Sequence, residues 1–197
     1  MRLNLALGTY WFTLEARDLK IRKTLVLGIG NTLLTDEGVG VHLVEYLKHL
    51  HPDRDGIRFL DGGTLSFTLA AELEEYQNLI IVDAARTGGR PATVAVYEGP
   101  EVDQYLRGTR QSVHEVGLGD LLDIALLAGH FPHRVALVGI EPWNVEWGDS
   151  LSEPVAKSLP VAAEAVMALI AKWANEPEDP ERVGNPFAVI GKMGNNY

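Results

Sequence analysis

The stretch LGIGNTLLTDEGVG, Leu27–Gly40, decides the fold: an apolar strand runs through a glycine-rich turn into an amphipathic helix. Two adjacent carboxylates, Asp36 and Glu37, fall at the helix start. A helix N-terminus behind a glycine loop is ordinarily an anion cradle, because free N–H groups and the positive end of the helix dipole point at the ligand. Here that position already carries negative charge, which argues for a cation and against a phosphate. The dinucleotide fingerprint also fails on spacing. Gly28 and Gly30 meet its first two positions but the third falls on Leu33, so neither close helix–strand packing nor access for a pyrophosphate is expected.

Outward from this segment the pattern is regular. Strand TLVLGIG from Thr24, a helix from about Asp36 to Leu50, strand IRFLD, a helix over about Ser66–Tyr76, and strands NLIIVDA and TVAVYE follow in order. After a polar loop come a helical run near Leu118–Ala128, strand RVALVGI, a Trp-rich loop, and an alanine-rich helix over Val161–Ala174 that Pro160 should start or kink. Such alternation predicts an α/β three-layer sandwich, a twisted and mostly parallel sheet of about five strands flanked by helices. Leu3, Leu5 and Leu7 alternate as in an edge strand within an atypical N-terminal extension, 1–22, ahead of a single domain over 23–176. Residues 177–197, rich in Pro, Gly, Asn and charge, are expected to form a mobile tail.

In open α/β sheets, ligands gather beyond the carboxyl ends of the strands. Polar residues fall at four such ends: Asn31 and Glu37 after the first strand, Asp61 with Gly62, Gly63 and Thr64 after the second, Asp83 after the third, and Glu141 after RVALVGI. Adjacent acids cannot both point one way. At about 100° per residue one faces the strand ends while the other faces solvent or caps the helix, complementing its dipole, and Glu37 has the longer reach. Asp83 ends an apolar strand, where a carboxylate can equally be a helix cap or an anchor for the next loop, with Arg86 as a non-functional partner. His114, between Val113 and Val116 in QSVHEVGLGD, would alone be read as structural. His42 and His49 fall on the first helix, His51 precedes a proline turn, and His130 and His133 flank a turn, with His49 and His51 expected to be solvated.

Together Glu37, Asp83 and His114 form a three-ligand set with open coordination positions, whereas a closed structural site normally takes four ligands. Mixed oxygen and nitrogen ligation without thiolate admits nickel, zinc, iron or manganese and does not choose among them.

Composition narrows the classes. A chain of 197 residues, 46% hydrophobic with mean hydropathy near zero, buries one core well and two poorly. A net charge of −10 opposes nucleic acid or an anionic membrane as partner. The absence of cysteine excludes disulfides and thiolate metal sites and is compatible with the cytoplasm, the expected compartment. No apolar run approaches the roughly 20 residues of a spanning helix. The N-terminal stretch lacks a small-x-small cleavage site, so neither membrane insertion nor a signal peptide is expected.

Five blocks in order, GIGNTLLTDEGVG, FLDGGT, IIVDA, SVHEVGL and GIEPWNVEWGDSLSEPV, resemble the hydrogenase maturation endopeptidases over roughly Lys23–Trp173. That family trims the C-terminal extension of the large subunit of nickel–iron hydrogenases. The resemblance implies that Glu37, Asp83 and His114 bind nickel carried by the precursor, and that Asp61 takes part in recognising the precursor. It further implies a peptidase classed with the aspartyl type though guided by metal, with nickel as cofactor, the large-subunit precursor as partner, and a monomer as the favoured state. Glu141 departs from the pattern, since some members carry glutamine there. Ser66 and Ser112 lack a nucleophile-elbow context, which disfavours covalent catalysis. Two other readings compete: a nickel-sensing maturation chaperone without catalysis, and a nucleotide- or methyl-donor-binding α/β enzyme with Asp61 placed to hold ribose hydroxyls.

Overall fold

The computed structural model describes residues 3–7, 10–14, 23–52, 55–64, 69–108 and 113–176, without the side chains of 3–7, 10–14, 107–108 and 113–116. The five expected strands all form: β3 (Thr24–Ile29), β4 (Ile57–Gly63), β5 (Asn78–Ala84), β6 (Val94–Glu98) and β7 (Arg134–Ile140), preceded by β1 (Leu3–Leu7) and β2 (Tyr10–Leu14). The main sheet has the order β4-β3-β5-β7-β6, parallel except for the antiparallel edge pair β6–β7. Strands β1 and β2 pair antiparallel in a two-stranded sheet of their own, to which the alternating Leu3, Leu5 and Leu7 contribute one strand.

Strands β3, β5 and β7 are buried nearly end to end, as expected of parallel strands covered on both faces. One face packs Val26, Ile80, Val82 and Val138 against α1 (Val39–Leu50) and α5 (Glu153–Asn175). The other packs Leu25, Leu27, Ile81 and Leu137 against α2 (Leu69–Leu73), α3 (Pro100–Gly108) and α4 (Val113–Leu127). Alternation along each strand therefore yields the three-layer sandwich.

Four local expectations are corrected. The acid pair lies in a separate 3-10 turn, Thr35–Gly38, and α1 starts only at Val39. The stretch read as a polar loop contains α3, in which Val102 and Leu106, one helical turn apart, are the fully buried residues among those whose side chains are described. Helix α4 begins at Val113, ahead of the expected Leu118. Helix α5 begins at Glu153, with Pro160 inside it. Pro160 and Ala156 both face solvent, so the carbonyl that loses its N–H partner to the proline ring can be hydrated.

At 23 residues α5 is long and apolar enough to span a bilayer, which the shorter reading of this helix had concealed. Its buried residues Val155, Ala162, Val166, Leu169 and Trp173 form one stripe against the sheet, so the core accounts for its apolar content.

Candidate functional site

The chain leaves β3 for the edge strand β4, then crosses back over β3 to β5. This reversal opens a crevice between the carboxyl ends of β3 and β5, the usual ligand position in an open α/β sheet. Glycines let the backbone close around it. A Cβ on Gly28 would lie 2.2 Å from the Gly40 carbonyl oxygen, and one on Gly40 would lie 2.2 Å from that of Val82 and 2.3 Å from that of Ile29. Helix α1 thus presses directly on the ends of β3 and β5. Close helix–strand packing is present after all, supplied by Gly28 and Gly40 instead of a third fingerprint glycine. A Cβ on Gly30, whose φ is +136°, would fall 1.9 Å from the Glu37 carbonyl oxygen. The turn folds tightly onto its own 3-10 helix.

Asp36 is fully buried, neither at the surface nor serving the dipole of α1. Its carboxylate accepts hydrogen bonds from the amides of Trp143 (3.0 Å), Asn144 (2.9 Å) and Ser152 (2.7 Å) and from the Ser152 hydroxyl (2.7 Å). Ser152 is the N-cap of α5, so the negative charge lies at the N-terminus of α5, where the dipole favours it. Thr35 reinforces the clamp. It adopts a φ of +45°, costly for a β-branched residue, and is held there by three bonds to the β7–α5 loop. Its amide donates to the Gly148 carbonyl (2.9 Å), its hydroxyl donates to the Asn144 carbonyl (2.8 Å), and the Glu146 amide donates to that hydroxyl (3.1 Å).

Glu37, the neighbour of Asp36, belongs to the same 3-10 turn. It is half-buried and accepts the Asn31 amide at 3.1 Å. Asp83 is 6% exposed, at the end of β5 opposite Gly139 of β7, while Arg86, three residues on, is exposed. Asp61 lies near the end of the neighbouring edge strand β4. Its exposed carboxylate accepts the Gly63 amide at 2.8 Å, and the Gly63 carbonyl accepts the Gly30 amide at 2.8 Å, tying the DGGT turn to the rim that carries Glu37.

His114 lies near the start of α4, and its side chain is outside the described residues, as are Ser66 and Ser112. Among the described residues no three His, Asp or Glu side chains are grouped to hold a metal, so the described part of the expected ligand set is its two carboxylates. Carboxylates are hard oxygen donors of a kind that suits a divalent ion. Of the remaining histidines, His49 is exposed with Nδ1 2.7 Å from the Glu45 carbonyl, and His51 is half-buried.

Glu141 is a brace. Its carboxylate accepts the Thr87 amide (2.6 Å) and hydroxyl (2.8 Å), fixing the loop after β5 to the loop after β7. The sequence gives no signal for Thr87 or for the clamp role of Asp36, whose partners lie 107–116 residues further along the chain. A Ser at the start of a helix, with no capping bond of its own, is the nearest trace of it.

Known proteins share this sequence pattern and fold. Residues 41–169 match the hydrogenase maturation protease family. The hydrogenase expression/formation protein HupD of Rhizobium leguminosarum bv. viciae is 37% identical over 152 residues, covering 77% of this chain and 75% of that protein. The hydrogenase 2 maturation protease of Escherichia coli K12 is 36% identical over 149 residues, 75% of this chain and 90% of its own. The solved structure of the E. coli hydrogenase maturating endopeptidase HybD superposes with a TM-score of 0.70 at 33% identity, covering 77% of this chain and 93% of that one. A sheet whose reversal carries two acids on a glycine-packed rim, in a chain this similar over most of its length, belongs to the hydrogenase maturation proteases.

Proposed function

We propose that this endopeptidase removes the C-terminal extension of the nickel-loaded precursor of a nickel–iron hydrogenase large subunit, using Glu37, Asp83 and His114 to contact the metal that the precursor carries. What supports the reading is that neighbouring strands bring Glu37 and Asp83 to the same end of the sheet. Glu37 comes from the turn after β3 and Asp83 from near the end of β5, while Asp36 and Glu141 brace loops at the same end. Nickel is cargo in this scheme, and its presence reports that the precursor is ready. Asp61, on the adjoining turn, meets the precursor beside it.

Hydrolysis adds water across the scissile amide: hydroxyl goes to the carbonyl carbon, a proton goes to the leaving nitrogen, and the C–N bond breaks. A carboxylate of the site moves that proton, while the cargo metal can polarise the carbonyl or acidify a bound water. The cytoplasm is the proposed compartment, in keeping with a chain that has no cysteine to protect or pair.

Incubating the purified protein with purified nickel-loaded precursor, and measuring the mass of the large subunit, tests this. A shortened subunit appearing without other factors is the expected result. Stable association without shortening would replace the enzyme by a chaperone.

A further inference from the structure

Beside the crevice the protein exposes an apolar ridge that neither its fold nor its proposed chemistry uses. Trp143 is 64% exposed, Val145 47%, Trp147 83%, and Leu33, on the turn after β3, 57%. Isolated apolar residues at a surface are ordinary, but two tryptophans within five residues, next to an exposed leucine, mark a contact site. The ridge is held rigidly. The Trp143 amide is bonded to the buried Asp36, and the Gly148 amide donates to the Leu33 carbonyl at 3.0 Å, locking Trp147's neighbour to Leu33.

We infer that this ridge is the docking surface for the folded body of the precursor whose extension is cut, an inference that rests on the endopeptidase reading above. Geometry supplies the occupant. One end of the ridge is bonded to Asp36, the residue next to Glu37, and Leu33 is four residues from Glu37, a span of at most about 14 Å. A standard protein interface covers roughly 800 Å² per partner, a disc of about 16 Å radius. A folded substrate that brings its metal to Glu37 therefore covers the ridge as well. Charge specifies the substrate's complementary face. Exposed Glu146 and Asp149 alternate with the tryptophans, and residues 141–156 contain no Lys, Arg or His. The matching surface presents Lys or Arg between apolar side chains, the former steering approach and the latter supplying affinity.

The test compares wild type, Trp143→Ser, Trp147→Ser and Glu146→Lys with the full nickel-loaded precursor, following binding and cleavage together after confirming unchanged urea midpoints. Each tryptophan variant is expected to raise KM at least about 30-fold, the loss typical of a truncated hot spot, with kcat within about two-fold. Glu146→Lys is expected to slow association at low salt, with the difference shrinking as salt rises. Cleavage by wild type with KM unchanged in both tryptophan variants overturns the docking surface and leaves the endopeptidase reading standing. Binding without cleavage overturns the endopeptidase reading, and docking is then decided by affinity: weaker in the tryptophan variants supports it, equal overturns it. If wild type neither binds nor cleaves, both fall.

Discussion

Where β3 and β5 begin, Thr24 and Asn78 are buried side by side, and the Asn78 amide donates to the Thr24 hydroxyl at 3.2 Å. Where the same two strands end, the buried polar groups are carboxylates: Asp83 on β5 and Asp36 on the turn after β3. Neutral groups can satisfy one another within two strands at little cost, whereas a buried carboxylate needs a cation or several N–H donors. Asp36 takes its donors from Trp143, Asn144 and Ser152 across the chain, and in doing so locks the β7–α5 loop beside the crevice. One rim is built for stability alone. The other uses charge to hold loops in place around a site.

Variants can break or sharpen that contrast. Asp36→Ala strands four donors and removes the clamp, so it should lower unfolding free energy by about 3 kcal/mol in urea titration. A loss within error would mean the loop is held by something else. Gly40→Ala drives a Cβ into the Val82 and Ile29 carbonyl oxygens, backbone that cannot swing aside, and should cost about 2 kcal/mol by the same measurement. Asn78→Ala, at the opposite rim, removes one neutral hydrogen bond and should cost about 1 kcal/mol without slowing cleavage. Reduced cleavage there would blur the division between rims.

The smallest effect belongs to the far end of α5. Glu98, bonded to the Lys172 ammonium at 2.7 Å, holds that lysine above its ordinary pKa of 10.5. A raised folded pKa contributes stability that is fully present below the unfolded value and is lost as pH rises through the folded one. Lys172→Met should therefore cost under about 1 kcal/mol at neutral pH, since the pair is exposed, and the difference from wild type should vanish in strong alkali.

The strands were legible because fully covered parallel strands are continuous apolar runs, and LVLGI, LIIV and VALVGI have no other plausible reading. Elements that bury little were not legible. In α3 Val102 and Leu106 are buried and Tyr105 packs partly against the core, a short apolar face, and prolines 154 and 160 disguise the first two turns of α5, although the first of them is well suited to a helix start. At the site, sequence separates Asp36 from Glu37 only by the geometric rule that adjacent acids diverge. Asp36 instead turns into the protein, toward a loop more than 100 residues away that the rule could not anticipate. Gly40 illustrates the same limit: its role is set by carbonyls on two different strands, one of them contributed by Val82.

The division of labour between neighbours 36 and 37 is the central claim, and Glu37→Gln tests it most directly. Its purified variant, compared with wild type for urea midpoint and for the mass of a nickel-loaded large-subunit precursor after incubation, should keep the midpoint and slow shortening by about 10³-fold, equivalent to roughly 4 kcal/mol of barrier. A variant that shortens the precursor at the wild-type rate, or one that loses activity only in proportion to lost folding, would contradict it.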